Sequence, residues 1–222
     1  MSTTKTRPRP SAPPAKRLPI VPLAIGAVVL VLAVGLAIAL ATGGDDTSTS
    51  NGDLAAFAPV TVQGTNLPGF TETAGDPAVG EEAPLLIGET PDGTAIEVGG
   101  TSAGEPTLIA FLAHWCPHCQ AELPLLVDLE EQGAFDGVRT VAVLTGTDEA
   151  APNFPPAAWL QDEGWAGDVL VDDEGTSAAI AYGLAGYPFL VMLDADGRVV
   201  ARTSGELPAE DVVSLVEAAS AG

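Results

Sequence analysis

"LIAFLAHWCPHCQAELP", Leu108–Pro124, is the stretch on which the fold of this 222-residue chain turns. It holds both cysteines, both histidines and one of the three tryptophans. The apolar run Thr107–Ala113 is too short for a surface helix and has the unbroken hydrophobicity of a strand buried on both faces. Past the cysteines, Leu123, Leu126, Val127 and Glu130 recur at helical spacing, so a strand passes into a helix at the cysteine pair itself. Two cysteines at such a junction admit three readings: a metal clip, a structural staple or a redox centre.

A thiolate is the nucleophile in disulfide exchange, and a helix start favours it because unpaired N–H groups and the macrodipole stabilise negative charge. The junction puts Cys116 at the first turn, with Pro117 suited to the opening helical position. Cys119, three residues on and on the same face, is placed to act as the resolving thiol. A staple closing a two-residue loop gains little from loop entropy. Zinc would need His114, Cys116, His118 and Cys119 to converge from six consecutive residues. A dithiol can also hold Cu(I), which leaves a copper-delivery or metal-binding module as an alternative of another class, although no histidine exists elsewhere to complete its site. The expectation is reversible dithiol–disulfide chemistry with no metal and no cofactor beyond the Cys116–Cys119 couple.

Charge is sharply segregated. Lys5, Arg7, Arg9, Lys16 and Arg17 are five of the eight basic residues, and all thirty acidic residues follow Ala41, giving a +5 tail and a net −27 on the remainder. Such an acidic domain, with no lysine after Lys16, excludes nucleic acid or an anionic lipid surface as its ligand. Between the two regimes "IVPLAIGAVVLVLAVGLAIALA", residues 20–41, carries no charge. At about 1.5 Å per residue it gives about 33 Å of helix, enough to cross a hydrocarbon core of about 30 Å. The basic flank predicts a cytoplasmic N-terminal tail (1–19), a signal-anchor helix in the cytoplasmic membrane (20–41) and an external acidic domain. The competing expectation is secretion after signal cleavage near Ala41. Residues 42–56, opening "TGGDDTSTSNGD", have the composition of a flexible linker.

Residues 57–80 read as an extension wrapped on the domain, with a short strand in "FAPVTVQG". "APLLIGETPDGTAIEV" is a hairpin signal centred on Pro91, Asp92 and Gly93. "GVRTVAVLTG", "DVLVDDEG" and "PFLVML" predict further strands, and Val199–Thr203 pairs back beyond the "DADG" turn. "PPAAWLQDEGW", "TSAAIAYGL" and "PAEDVVSLVEAAS" predict helices. Alternating strands and helices with a terminal hairpin and helix imply an α/β fold, a mixed sheet covered on both faces, in residues 81–222.

"WCPHCQAELP" is similar to the W-C-x-x-C-x-x-E-x-P signature of the TlpA/ResA/CcmG group, membrane-tethered thiol-disulfide oxidoreductases of the thioredoxin superfamily. "YGLAGYPFLVMLDADGRV" resembles that superfamily's second landmark, a cis-proline loop followed by a strand and turn. The resemblance covers roughly Gly80 to the C-terminus and implies a thioredoxin-like fold. It makes Cys116 the attacking thiol, Cys119 the resolving thiol and Trp115 a shield over the pair. Glu122 becomes the acid that accepts or returns the resolving thiol's proton, and Pro124 a helix-kinking proline. Pro188 becomes the cis-proline facing the dithiol, and Tyr187–Pro188 offers backbone to a substrate strand. The substrates implied are extracytoplasmic protein thiols and disulfides, with a membrane electron carrier of the CcdA/DsbD or DsbB type as partner. A TlpA-type reductase, linked to cytochrome maturation, is the leading expectation.

Two departures stand out. Conventional thioredoxins carry a buried aspartate on the strand before the cysteines, where this chain has Ala110. Pro117-His118 is the dipeptide of DsbA-like oxidases, since a histidine beside the helix start stabilises the Cys116 thiolate and makes the disulfide more oxidising. A DsbA-like disulfide-forming oxidase is therefore the rival of the same fold. His114, just before the tryptophan, is expected to be a partly exposed loop residue.

Overall fold

The computed structural model describes residues 54–101 and 104–219. The expected tail (1–19), membrane anchor (20–41) and linker as far as residue 53 lie outside the described residues. Among the described residues no helix is long and apolar enough to cross a membrane.

The elements run β1 (Thr61–Gln63), β2 (Leu85–Glu89), β3 (Ala95–Val98), β4 (Thr107–Leu112), α1 (Pro117–Glu131), β5 (Arg139–Leu144), α2 (Pro156–Asp162), β6 (Asp168–Val171), α3 (Ser177–Ala181), β7 (Phe189–Leu193), β8 (Val199–Ser204) and α4 (Ala209–Ala219). One sheet takes the order β1-β2-β6-β5-β4-β7-β8, with β3 paired to β2. At its centre β4 runs parallel to β5 and antiparallel to β7, with Leu112 opposite Leu144 and Phe111 opposite Phe189. Antiparallel β8 places Ser204 opposite Phe189. The same edge of the sheet therefore collects the residues just past β4, β5 and β8 and just before β7. That edge is where the cysteines stand.

The unbroken apolarity of Thr107–Leu112 follows from this position, because all six residues are buried. Leu108, Ala110 and Leu112 face one way and pack in a cluster with Leu123 and Leu126 of α1 and Val212, Leu215 and Val216 of α4. Ile109 and Phe111 face the other way, with Tyr182 and with Ala178 and Ala181 of α3. Each such side chain fully removed from water contributes about 1.5–3 kcal/mol, so α1 is fastened to β4 directly behind the cysteines. The hairpin signal is also realised: β2 and β3 pair antiparallel across Pro91-Asp92-Gly93, where Gly93 takes a positive φ of 83°.

Residues 57–80 belong to the same body. β1 extends the sheet by pairing Val62 with Leu86. Further on, Asp76 forms a two-pronged pair with Arg202 of β8, Nε to Oδ2 at 2.8 Å and Nη2 to Oδ1 at 2.5 Å. Both side chains are buried, and Arg202 Nη1 also donates to the carbonyls of Pro68 and Tyr182 at 2.9 and 2.8 Å. The Arg202 hydrogen bonds hold the Asp76 carboxyl below the usual aspartate range, against the opposing cost of burial. The guanidinium lies 5.7 and 5.9 Å from the Phe70 and Phe189 ring centres. The sequence offered no sign of this buried pair.

Candidate active site

The two cysteines stand where β4 ends. Cys116 is the extended N-cap residue of α1, with φ −77° and ψ 121°, and Pro117 occupies the first turn. Its N–H donates to Ala113 O at 3.0 Å and its carbonyl accepts Gln120 N–H at 3.1 Å, which closes the first turn beneath the sulfur. The unused amides and the dipole of a 15-residue helix point toward Cys116. Both cysteines are free thiols. Cys116 keeps 7% of its surface open and Cys119 none, so only the first can meet a partner without rearrangement.

Tyr187 and Pro188 face the pair from the opposite loop. Their peptide bond is cis, as the resemblance implied, and Cys116 Sγ lies 3.8 Å from Tyr187 O. The half-buried Tyr187 ring meets Trp115 edge-on at 5.9 Å, and the exposed Trp115 indole donates to Gly146 O at 2.7 Å. Gly146 has φ 61°, and a Cβ there would lie 2.5 Å from the Tyr187 hydroxyl, so this close approach needs glycine. A second cis bond, Phe154–Pro155, was not anticipated.

Behind the pair, Cys119 Sγ accepts the Ala113 N–H at 3.5 Å. Burial raises its pKa well above the ordinary thiol value, with the nearby Cys116 and Glu122 acting in the same direction. Cys119 therefore stays protonated until a base takes its proton. Glu122, one turn on, is fully buried. Its Oε2 accepts Leu207 N–H at 2.9 Å, while Oε1 has no hydrogen-bond partner among the described residues. Burial pushes the Glu122 carboxyl up to about 7; the Leu207 bond opposes this and the charge of Glu206 adds to it. Ala110, where conventional thioredoxins carry an acid, is buried in the same cluster as Cys119 without a polar atom.

The buried carboxyl has a stability consequence. Its pKa is raised on folding, so the folded state binds more protons and loses stability as pH climbs from about 4.5 to 7. Glu122→Gln is expected to stabilise the fold by up to about 3 kcal/mol at pH 8 and by little at pH 4. Denaturant unfolding at the two pH values checks this; equal effects at both would contradict the placement of the charge.

His114 departs from the expectation of a partly exposed loop residue. It is fully buried, Nδ1–H donating to Pro152 O at 2.6 Å and Nε2 accepting the Asp148 N–H at 3.2 Å. The reason is the 146–155 segment, which folds back over residues 113–115 and needs a two-ended polar anchor there. With both ring nitrogens used by backbone, His114 has no lone pair for a metal. His118, by contrast, is exposed and pairs through Nδ1 with Glu206 Oε2 at 3.0 Å. Among the described residues no three His, Cys, Asp or Glu side chains gather as a metal site.

A nucleophilic thiol at a helix start, a buried partner thiol, a carboxyl beneath it and a cis-proline opposite can together carry dithiol–disulfide exchange. Comparison with known proteins agrees: residues 64–219 match the Redoxin family. The chain belongs to the redoxin family. Among curated relatives, this redoxin is 29% identical over 135 residues to a "Thiol:disulfide interchange protein DsbE homolog" of Paracoccus denitrificans, covering 60% of this chain and 70% of that one. It is 28% identical to "Thiol-disulfide oxidoreductase ResA" of Bacillus thuringiensis, covering 60% and 74%. It is also 28% identical to "Methylamine utilization protein MauD" of Methylophilus methylotrophus, of whose length the match spans only 56%. Solved structures similar to it include a DsbE-type thiol:disulfide interchange protein from Chlorobium tepidum, with TM-score 0.53 and 22% identity over 64% of this chain and 96% of that one. The thioredoxin domain of a Bacteroides vulgatus thiol-disulfide oxidoreductase gives TM-score 0.51 and 20% identity over 63% and 96%. The redoxin thus has the expected thioredoxin-like fold.

Sequence reasoning missed Glu206 and Leu207. They follow β8 by two and three residues, and only the antiparallel return of that strand brings them to the α1 start. No local pattern in "TSGELP" marks them.

Proposed function

We propose that this redoxin is a thiol-disulfide oxidoreductase that reduces disulfides of extracytoplasmic proteins, in the manner of a TlpA-type reductase. Cys116 thiolate attacks the substrate disulfide, forming a mixed disulfide and releasing one substrate thiolate. Glu122 takes the Cys119 proton, and the new thiolate attacks Cys116 Sγ. The second substrate thiolate leaves, and Cys116–Cys119 becomes the disulfide. Two electrons pass to the substrate, and each substrate thiolate takes up a proton, one of them returned through Glu122. A membrane dithiol carrier of the CcdA/DsbD type restores the dithiol, with residues 20–41 keeping the domain at the membrane and cytochrome maturation as the process served. Trp115 shields the pair, and Tyr187–Pro188 pairs with the substrate strand across Cys116.

The observation that supports the reducing direction is the carboxylate environment. His118, the feature that favours an oxidase, is held against Glu206, and Glu122 lies beneath Cys119. Negative charge beside Cys119 disfavours its thiolate and so destabilises the reduced form, which lowers the potential. Acid-quenched thiol trapping in intact cells tests the direction. Mostly reduced Cys116 and Cys119 is the expected result; a mostly oxidised pair would make the protein a DsbA-like oxidase served by a DsbB-type carrier.

Glu122→Gln removes the base for Cys119. The resolving step is expected to slow about 10²-fold at pH 7, with first attack by Cys116 little changed. Rapid-quench analysis should show the mixed disulfide accumulating; turnover at the unmodified rate would remove Glu122 from the mechanism.

A further inference from the structure

The end of β8 and the loop that leads to α4, residues 204–208, touch three parts of the dithiol centre. Gly205 N–H donates to Pro188 O at 2.8 Å and Ser204 Oγ to Gly186 O at 3.2 Å, which ties the loop to the cis-proline segment. Leu207 N–H donates to Glu122 Oε2 at 2.9 Å. Between these anchors Glu206 sends its carboxylate to His118 Nδ1 at 3.0 Å. The His118 and Glu206 side chains are 67% and 49% exposed, and a polar contact so exposed is worth at most about 1 kcal/mol to the fold. Its importance is instead in where it places a charge.

We infer that Glu206 is a positioning residue for the resolving step: it stands one residue before the Leu207 amide that binds Glu122, and the field of its carboxylate governs the proton that Glu122 exchanges with Cys119. The inference rests on the reading of Glu122 as the base for Cys119. Among the described residues, the groups facing Glu122 come from two elements. Cys119 lies on its own helix, the neutral Leu207 amide and the Glu206 carboxylate come from the 204–208 loop, and His118, also on that helix, contacts Glu206. A second negative charge at this range disfavours ionisation of the first, and Glu206 acts in that direction on top of burial. Because Glu206 is half exposed, solvent screens the effect to a fraction of what a buried pair would feel.

Glu206→Gln in the full chain tests this. Carboxyl NMR titration of Glu122 is expected to show its midpoint falling by about half a pH unit, and the acid limb of the resolving-step rate should move with it. Glu206→Asp, which keeps the charge, should restore most of the original midpoint. Glu210→Gln, an exposed acid of α4, serves as the control for loss of general negative charge. An unmoved Glu122 midpoint would overturn the inference, as would a moved midpoint with an unmoved rate profile. An unmodified chain that exchanges no disulfide would defeat the proposed function itself, whereas an active chain indifferent to Glu206→Gln would defeat the inference alone.

Discussion

Cys116→Ser is expected to abolish dithiol-dependent reduction of insulin, a loss of about 10³-fold or more that leaves only background reaction with the added dithiol. The size follows from the unequal settings of the two sulfurs. Cys116 stands at the α1 start, 3.8 Å from the Tyr187 carbonyl, with part of its surface open. Cys119 is fully buried, and its pKa is raised by that burial. Serine at position 116 leaves no accessible thiolate for first attack, and a hydroxyl at ordinary acidity cannot replace one. Folding should be untouched, because the substitution changes one atom at a nearly buried cap residue. A variant that folds normally and still reduces insulin would move the nucleophile elsewhere.

Asp76→Ala is expected to be the most destabilising single change outside the dithiol centre, costing about 3–5 kcal/mol. It strands the Arg202 guanidinium, which has no exposed surface, with only the Pro68 and Tyr182 carbonyls as partners. For a domain of this size such a loss lowers Tm by about 10 °C or more. The double change Asp76→Leu with Arg202→Met removes both charges and should recover part of the loss, since an apolar pair of similar volume can replace a buried ion pair. Urea unfolding of the single and double variants measures this. A cost below about 1 kcal/mol for Asp76→Ala would mean that the 57–80 segment is not fastened to β8 as the pair implies. The same pair lies directly behind Phe189, the residue after the cis-proline, so its loss should also loosen the loop facing Cys116.

The parts of this fold legible in the sequence are those written in local patterns. Thr107–Leu112 announced a central strand because both faces of β4 are covered, and "PDG" announced its hairpin because a positive φ is needed at Gly93. The two cysteines were legible because they share one helix start, where spacing puts them together, whereas Glu122 was singled out only by the family resemblance. What stayed hidden depends on segments far apart in the chain. Asp76 meets Arg202 across 126 positions, and Glu206 meets His118 across 88. His114 was misjudged for the same reason: its neighbours along the chain say nothing of Pro152 and Asp148, which fold over it and take both ring nitrogens. The charge asymmetry was plain from composition, but not that the loop carrying Glu206 would also bind the Glu122 carboxylate at the cysteines.

The assignment of roles to the two sulfurs is tested most directly by trapping. Cys119→Ser in the full chain, incubated with a disulfide-bonded protein, should accumulate a mixed disulfide that mass spectrometry maps to Cys116. Cys116→Ser, keeping the buried Cys119, should trap none. An adduct on Cys119, or no adduct with Cys119→Ser, would contradict the assignment of Cys116 as the attacking thiol and with it the dithiol mechanism.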